Sequence, residues 1–368
     1  MASQVVLFAE EDNMFRLMEA SLNGVASPRA ERALHYFFGE SIAEPLSRLT
    51  ELPGILGLPP GIRGIICDDE ANLSDYIREA DYLVAESARV TRDLIRLGRV
   101  RLRLIHKFGW DCRNIDPDAA REFGVPTVNL MRISTISVAE HFILLILSLA
   151  RKLTHAHAAA LARSGCNDGS KSEGPPRTSF NWGRIQNIQV VSGKTLGMVG
   201  LGENGLEIAR RAYCLGMKIA YYQRHRLTEK LEGSVGAVYR RSLIDLMKGS
   251  DFVSINVPYN ASTEKLINAE ALGAMKEGAY LINASRGGVV DEGALFDVLK
   301  DRKIAGAALD VYRWEPVPPD CPLLKLDNVI WSTHNAGGSP YFMIEESRSV
   351  LENIARVAKG KEPTGRVA

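Results

Sequence analysis

The chain has 368 residues, of which 46% are hydrophobic and 24% charged, and its formal net charge is +1. This length suits two domains of ordinary size, and the composition is that of a folded globular protein rather than a disordered one. A nearly neutral chain has no bulk field to attract nucleic acid or an anionic membrane, so we expect neither as a partner.

The N-terminus and the cysteines predict a cytoplasmic protein. Residues 1–12 contain neither a basic leader nor a long apolar core, which argues against a secretory signal. The longest apolar run, 142–150, is too short to span a bilayer. The five cysteines are scattered, odd in number and without a C-x-x-C pair. They indicate free thiols in a reducing compartment and no metal site.

The first 130 residues alternate between strand and helix patterns. Short apolar runs predict strands at 4–9, 62–67, 82–85 and 103–106. Helical patterns cover 12–60, with breaks expected at Ser27-Pro28 and at Pro45, and recur at 73–79 and 89–97. Alternation of this kind predicts a small parallel α/β domain.

The middle of the chain predicts one long helix followed by a loop. The helix is expected to begin at residue 135 or 137 and to continue to 163, with His141, His155 and His157 on or near it. We interpret His155 and His157 as surface or packing residues, because two positions so spaced do not share a helix face. Residues 164–182, rich in Gly, Ser and Pro, predict a loop.

A glycine motif organises the second half of the chain. An apolar strand at 195–199 leads into Gly200-Leu201-Gly202-Glu203-Asn204-Gly205, and a helical pattern and a strand at 218–222 follow. Gly200 would allow a tight turn, Gly202 the close approach of a pyrophosphate, and Gly205 close helix–strand packing. In this context the motif predicts dinucleotide binding. The alternatives are a glycine turn in another parallel α/β domain and the nucleotide loop of a methyltransferase.

Three polar residues follow the later predicted strands. Those strands lie at 252–255, 279–282, 306–311 and 328–331. Arg286, Glu315 and His334 come after three of them, at the edge where open α/β sheets bind ligands. A guanidinium can hold a carboxylate and a carbonyl oxygen, and a carboxylate stabilises a protonated imidazole that can donate to that oxygen. Each residue alone could be a surface cation, a loop cap or a turn histidine, but together they suggest an active site.

Several longer stretches resemble the D-isomer-specific 2-hydroxyacid dehydrogenases, the family of D-lactate, glycerate, phosphoglycerate and hydroxypyruvate enzymes. The matching stretches are 114–116, 135–141, 193–202, 281–292, 308–316 and 334–337. The similarity covers about residues 70–365, and these motifs are jointly specific.

The resemblance implies an α/β fold of two Rossmann-like domains, with parallel sheets flanked by helices and a cleft between them that holds the site. A substrate-binding, flavodoxin-like domain would consist of 1–133 with 336–368. An NAD(P)-binding Rossmann domain would consist of 134–335. The family pattern also implies a homodimer, and the apolar helix from 135 to 149 favours a shared interface.

The resemblance implies a role for each candidate residue in hydride transfer between a nicotinamide and a small 2-keto or D-2-hydroxy acid. Arg286 would be the substrate clamp, His334 the proton donor or acceptor, and Glu315 its orienting carboxylate. Further substrate contacts would come from Phe108, Gly109 and Trp110. The implied cofactor contacts are Gly200, Gly202, Glu203, Asn204, Gly205, Gln223, Arg224, Arg226, Val257, Pro258, Thr263, Ala284, Ser285, Asp310, His334 and Gly337. Among these, Asp310 matches the residue that usually contacts the nicotinamide carboxamide.

Cofactor choice depends on the end of the second strand of the nucleotide domain. NAD enzymes of this type place an acid there, which bonds the ribose 2′-hydroxyl and repels a 2′-phosphate. Gln223 occupies that position, and no acid lies between Met217 and Thr228. Arg224 and Arg226 could fork onto a phosphate. We therefore predict NADP(H) as the preferred cofactor with NAD(H) as the alternative; the other interpretation is a basic surface turn.

Three features depart from the family pattern. Asp111 stands where the substrate loop usually has its second glycine, and it would repel a substrate carboxylate unless it points away or the substrate differs. Thr333 replaces the proline that usually precedes the active histidine, with little effect expected. The first 60 residues are longer than usual and contain no recognised motif.

A reductase of small 2-keto acids is the leading hypothesis. A second is an oxidoreductase of another substrate on the same scaffold, such as a phosphite-type enzyme; a formate-type enzyme is disfavoured because it has glutamine where Glu315 stands. A third, from another class, is a nucleotide-sensing corepressor of the C-terminal-binding-protein type. It would carry a partner-peptide groove in the N-terminal lobe, which the sequence does not reveal.

Overall fold

The structure, a computed structural model, describes residues 3–24, 27–162, 181–338 and 340–368. The chain divides into two compact units, one of Met1–Ser134 with Gly338–Ala368 and one of Thr135–Gly337. Nearly all of the loop predicted at 164–182 lies outside the described residues.

The first unit is a parallel sheet flanked by helices. Its strands are β1 (Val5–Phe8), β2 (Arg63–Ile66), β3 (Tyr82–Ala85), β4 (Leu104–Lys107) and β5 (Thr127–Asn129). Its helices are α1 (Asn13–Asn23), α2 (Pro28–Phe38), α3 (Ala43–Leu56), α4 (Leu73–Tyr76), α5 (Arg92–Gly98), α6 (Pro117–Glu122) and α14 (Pro340–Ala358). The strand order is β2-β1-β3-β4-β5, and every pairing is parallel.

Strand β1 shows how this sheet builds an apolar core on each face. Val6 and Phe8 belong to a cluster that includes residues of α1, α3 and α14, whereas Leu7 belongs to a cluster with residues of α4, α5 and α6. Successive side chains of a strand point to opposite faces. A strand with apolar residues at every position is therefore covered on both sides, as in parallel sheets generally.

The strands predicted in this unit are confirmed, but two helix predictions need correction. The predicted break at Pro45 is wrong, because Pro45 lies in the first turn of α3, where a missing backbone N–H forfeits no helical hydrogen bond. Helix α4 ends at Tyr76 instead of residue 79. Ser27-Pro28 does begin a helix, and the Ser27 hydroxyl accepts the N–H of Ala30 at 3.2 Å.

The second unit contains a larger parallel sheet. Its strands are β6 (Thr195–Val199), β7 (Lys218–Tyr222), β8 (Ala237–Tyr239), β9 (Phe252–Ile255), β10 (Tyr280–Asn283), β11 (Gly306–Leu309) and β12 (Val329–Trp331). Its helices are α7 (Ser134–Arg151), α8 (Leu153–Leu161), α9 (Glu203–Cys214), α10 (Glu229–Val235), α11 (Leu243–Gly249), α12 (Ala269–Gly273) and α13 (Glu292–Lys300). The order is β12-β11-β10-β9-β6-β7-β8. The order reverses between β6 and β9, which is where doubly wound sheets bind nucleotides.

The long helix predicted from 135 to 163 is two helices. Lys152 adopts a left-handed backbone conformation with φ of 53° and separates α7 from α8. By length and composition alone α7 could cross a membrane. Eight of its residues, Phe142 and Leu145 among them, are nevertheless buried inside the protein.

Gly197, in the strand that leads into the glycine motif, is packed so closely that it has no room for a side chain. A Cβ at this position would overlap the hydroxyl of the buried Ser250 and lie 2.8 Å from its Cβ. We expect Gly197→Ala to destabilise the protein by about 1–3 kcal/mol, the usual cost of overpacking. Gly233→Ala is the matched control, because nothing lies within 4 Å of its added Cβ inside α10. Urea unfolding followed by circular dichroism measures both, and an undiminished midpoint for Gly197→Ala would contradict the packing argument.

Candidate active site

The carboxyl edge of the seven-stranded sheet gathers most of the predicted site residues. The loops after β6, β7, β9, β10, β11 and β12 respectively carry Gly200–Gly205, Gln223–Arg226, Val257–Pro258, Ala284–Arg286, Asp310–Glu315 and His334–Gly337. Because parallel strands end at the same edge, residues far apart in the chain lie along that edge.

His334 and Glu315 form a direct pair. Nδ1 of His334 lies 2.6 Å from Oε2 of Glu315, and Oε1 of Glu315 accepts the backbone N–H of Tyr312 at 3.0 Å. Each of the two paired side chains is 36% exposed. The carboxylate therefore orients the imidazole through Nδ1, and within the described residues Nε2 has no hydrogen-bond partner.

Asp310 fixes the turn that carries His334. Its carbonyl oxygen accepts the N–H of His334 at 2.8 Å, and its two carboxylate oxygens accept the N–H groups of Asn335 and Ala336 at 3.1 and 3.0 Å. His334 adopts φ of 54°. A left-handed conformation costs about 1–3 kcal/mol at a non-glycine residue and persists where surrounding contacts impose it.

Asp310 is fully buried and ionised. Burial alone would raise its pKa, but hydrogen bonds from His141, Ser332 and the backbone N–H groups of Ala336 and Asn335 outweigh it and hold the pKa well below the ordinary value. Nε2 of His141 lies 3.4 Å from the Asp310 carboxylate and 3.1 Å from the Ser332 hydroxyl. Sequence reasoning gave His141 no role, although it lies in one of the stretches that carry the family resemblance.

Tyr312 joins the ends of β11 and β12. Its hydroxyl lies within hydrogen-bond distance of the carbonyl oxygens of Leu309 and Ser332, and its ring stacks on Trp331 with centroids 5.3 Å apart. Burial raises the pKa of Tyr312 to about 12, so the phenol stays neutral. The loop that presents Glu315 is thereby attached to the loop that presents His334.

Arg286 is exposed and sits on a loop that glycine packing holds close to Tyr312. Its Nη1 donates to the carbonyl oxygen of Ser285 at 2.7 Å, and the side-chain amide of buried Asn283 donates to the Arg286 carbonyl oxygen at 3.1 Å. A Cβ on Gly287 would overlap the carbonyl group of Tyr312. A larger residue at 287 would push the loop of Arg286 away from the loop of Glu315.

Each of the three glycines in the dinucleotide motif is suited to its position for a different physical reason. Gly200 has φ of 91°, and a Cβ there would lie 2.9 Å from Cγ1 of Val257. A Cβ on Gly205 would lie 2.9 Å from the carbonyl oxygen of Gly200. Nothing lies within 4 Å of the position of a Cβ on Gly202, which is the N-cap of α9 and supplies no capping side chain. This open helix N-terminus fits a dinucleotide phosphate.

The loop after β7 differs in part from its prediction. Oε1 of Gln223 accepts the N–H of Leu201 at 3.0 Å, which connects it to the glycine motif. Arg224 is exposed and has no side-chain partner in the described part of the chain. Arg226, predicted to fork onto a phosphate, instead pairs with Glu232 through Nε and Nη2 at 2.9 and 2.8 Å. Both oxygens of one carboxylate thus occupy that fork.

The remaining predicted cofactor residues lie along the same edge. Val257 and Pro258 follow β9, and the Thr263 hydroxyl donates to the Pro258 carbonyl oxygen at 2.6 Å. Ala284 and Ser285 follow β10, where the Ser285 hydroxyl donates to Asn283 at 2.9 Å. Glu203 and Asn204 begin α9, and Gly337 follows the turn after β12.

The predicted substrate loop belongs to the first unit. Phe108 is buried against Phe15 with ring centroids 5.6 Å apart, and the Arg132 guanidinium lies 5.9 Å above the Phe108 ring. Gly109 has φ of 117°, and Trp110 is half-buried. Asp111 pairs with Arg113 through Nε at 2.8 Å, which lowers the Asp111 pKa. The repulsion expected from Asp111 is therefore offset by a neighbouring cation.

Comparisons with known proteins identify the family of the chain. The family model described as D-isomer specific 2-hydroxyacid dehydrogenase, NAD binding domain, matches residues 143–336. The D-3-phosphoglycerate dehydrogenase of Methanocaldococcus jannaschii is 36% identical over 290 residues, covering 78% of this chain and 52% of that protein. The glyoxylate reductase of Korarchaeum cryptofilum is 36% identical over 263 residues, covering 72% of this chain and 75% of that protein.

A solved structure extends the likeness to the whole fold. The apo D-mandelate dehydrogenase of Rhodotorula graminis matches with a TM-score of 0.61 and 25% identity, over 100% of this chain and 98% of that one. The chain spans about half the length of the phosphoglycerate dehydrogenases it matches. From the extent of the family match and the identity to these relatives, the chain belongs to the D-isomer-specific 2-hydroxyacid dehydrogenase family.

Proposed function

We propose that the protein is an NADP(H)-preferring reductase of small 2-keto acids, with His334 and Glu315 as its acid/base pair and Arg286 as its substrate clamp. The observation that carries this proposal is the 2.6 Å contact between Nδ1 of His334 and the Glu315 carboxylate. It orients an accessible imidazole so that Nε2 can give up or take a proton.

A bound nicotinamide would supply the hydride for reduction of the keto carbon. The chain's own residues would do the rest. The Arg286 guanidinium would hold the substrate carboxylate and keto oxygen in a bidentate geometry. His334 would hold at Nε2 the proton destined for that oxygen, and Glu315 would stabilise the imidazolium and fix its orientation.

The cofactor would be held by the glycine motif and the N-terminus of α9. The open space at Gly202 supports a phosphate there, because backbone N–H groups at a helix N-terminus attract anions. Gln223 in place of an acid, with the exposed Arg224 beside it, supports preference for a 2′-phosphate. Arg226 supports this preference less, because two of its guanidinium N–H groups already donate to Glu232.

We further propose a cytoplasmic homodimer. Apolar side chains are exposed on α7, α8 and the nearby segment 188–190: Leu144, Leu153, Leu161, Ile188 and Val190. That segment reaches α7, because the N–H of Gln189 donates to the carbonyl oxygen of Ala150 at 2.8 Å. Exposed apolar side chains on such linked segments favour an interface there. The four cysteines among the described residues are free, which supports a reducing compartment.

The catalytic assignment is tested by substitution of the acid/base pair and the clamp. His334→Ala should lower kcat by about 10²–10⁴-fold, the usual worth of general acid catalysis. Glu315→Gln should also lower activity, because the imidazolium loses its carboxylate. Arg286→Ala should raise KM and lower kcat, since it would hold both the ground state and the developing oxyanion.

The measurement is reduced-cofactor consumption with glyoxylate, hydroxypyruvate and pyruvate, with phosphite and oxidised cofactor as a separate arm. His35→Ala is the control, because His35 is exposed on α2, outside the candidate site and the proposed interface. Near-normal kcat for His334→Ala on the best substrate would show the assignment to be wrong. Turnover of phosphite alone would favour the other oxidoreductase, and nucleotide binding without any turnover would favour a sensing protein.

Cofactor preference is tested at the loop after β7. Arg224→Ala should weaken NADPH binding by about 1–3 kcal/mol, the worth of a hydrogen bond to a charged group. Gln223→Asp should favour NADH, because a carboxylate repels the 2′-phosphate. Steady-state kinetics with both cofactors measure this, and equal kcat/KM for NADH and NADPH in the unmodified protein would refute the preference.

The dimer is tested by light scattering at micromolar concentration. We expect about twice the chain mass of 40.4 kDa. Leu144→Glu should weaken the assembly, because it places a charge in the proposed interface; Leu144 is 52% exposed. Ile55→Glu, at an exposed apolar position of the first unit, is the matched control. A mass near that of one chain for the unmodified protein would overturn the dimer.

A further inference from the structure

Arg226 is held by a buried carboxylate from the next helix. Its Nε and Nη2 donate to the two oxygens of Glu232 on α10 at 2.9 and 2.8 Å. The Arg226 side chain is 59% exposed whereas that of Glu232 is only 10% exposed. The arginine thus covers the acid, and two parallel hydrogen bonds fix its orientation.

Tyr221 and Tyr239 anchor this pair to the sheet. The Tyr221 hydroxyl donates to Oε1 of Glu232 at 2.6 Å and accepts the N–H of Leu227 at 2.9 Å. The Arg226 guanidinium lies 6.0 Å above the Tyr239 ring, which packs against Tyr221 with centroids 5.3 Å apart. Hydrogen bonds from Arg226, which has the larger effect, and from Tyr221 lower the pKa of Glu232 to about 2. Glu232 is therefore negative at neutral pH.

The pairing changes what Arg226 can offer to a ligand. Two of the five N–H donors of its guanidinium are spent on Glu232, and the adjacent negative charge opposes any approaching anion. Arg224, two residues earlier, is exposed and has no such partner within the described residues. The same loop therefore holds one cation available to a phosphate and one that a carboxylate neutralises.

Further cations surround this corner of the sheet. Strands β7 and β8 pair with Tyr221 opposite Tyr239, and Arg240 donates its N–H to the carbonyl oxygen of Tyr221 at 2.7 Å. A shallow hollow of about 490 Å³ is lined by Tyr239, Arg240, Arg241, Asp245, Lys248 and Gly249. Glu232 lines a second, adjacent hollow together with Arg226 and Arg241. In a predominantly basic corner, the negative charge of Glu232 lowers the positive potential that a ligand meets.

We infer that Glu232 is a specificity-determining residue of the cofactor site: it withdraws Arg226 from the 2′-phosphate, leaves recognition of that group to Arg224, and so limits the preference for NADP(H). This inference rests on the proposed function, because it assumes that the loop after β7 meets the adenosine ribose. It predicts that removal of one buried charge, with no change of shape, strengthens phosphate recognition.

The test measures the binding of two cofactor fragments by calorimetry, 2′,5′-ADP and 5′-AMP, which differ only in the 2′-phosphate. Glu232→Gln keeps the size of the side chain and an acceptor for Arg226 and Tyr221 but removes the charge. We expect 2′,5′-ADP to bind about tenfold more tightly to this variant, the lower range for one charge-assisted hydrogen bond, with 5′-AMP binding unchanged.

A double variant assigns the gain to Arg226. Glu232→Gln combined with Arg226→Ala should return 2′,5′-ADP binding to the level of the unmodified protein, because the freed cation is gone. Circular dichroism checks that each variant is folded, and a Glu232→Gln variant that fails to fold is replaced by Glu232→Met, for which the same gain is expected. Unchanged or weaker 2′,5′-ADP binding in the folded charge-removal variant would overturn the inference, since Glu232 would then be irrelevant or would orient Arg226 toward the phosphate.

The same measurements separate this inference from the proposed reaction. If the unmodified protein binds 5′-AMP but reduces no keto acid, the proposed reaction fails, while the fragment series still decides the role of Glu232. If it binds neither fragment, the assignment of the adenosine site is wrong, and the inference about Glu232 is overturned with it.

Discussion

The candidate active site depends on one buried carboxylate, that of Asp310. Removing an ionised carboxylate from water is costly unless hydrogen-bond donors replace the solvent. Here the donors are His141, Ser332 and two consecutive N–H groups of the turn after β12. If that turn moved, a buried charge would lose its partners. The turn that carries His334 is therefore held in place, and these contacts offset the free-energy cost of the left-handed conformation at His334.

The two carboxylates near His334, those of Asp310 and Glu315, differ in burial and in the groups that they contact. Asp310 is fully buried and its hydrogen-bond acceptors are occupied by the turn and by His141. Glu315 is partly exposed and contacts the imidazole directly. Asp310 positions the turn and contacts His141, because its oxygens are committed to those partners. Glu315 orients the imidazole of His334 through direct contact with Nδ1.

Local patterns predicted ten of the twelve strands in the described residues and the polar residues that follow them, because short apolar runs are visible in sequence. They did not predict β5 and β8, each of which has only three residues. They did not predict the interruption at Lys152, since a lysine carries no signal for a left-handed conformation and the flanking residues favour helix. They also missed the contact between His141 and Asp310, which joins α7 to a distant strand. No regular sequence spacing links two residues so far apart in the chain, so the contact could not be predicted from a pattern.

The pairing of Arg226 with Glu232 was also not predicted from the sequence, although the two residues are close together in the chain. The two residues are only six positions apart, but Arg226 precedes α10 whereas Glu232 lies within it, so helical spacing rules do not apply to the pair. Arg224 and Arg226 look equivalent in sequence because both follow the same strand. Only the fold distinguishes them, since α10 brings an acid to Arg226 and, within the described residues, none to Arg224.

The glycine motif shows how structure can separate a packing requirement from a binding requirement. Gly200 and Gly205 are needed by the protein itself, because a Cβ at either would crowd neighbouring atoms. No neighbouring atom imposes glycine at position 202, where serine or aspartate would cap α9 at least as well. Such a side chain would occupy the first N–H groups of the helix. Glycine leaves both those donors and the space in front of them to another group, and an anionic one suits the positive end of the helix dipole.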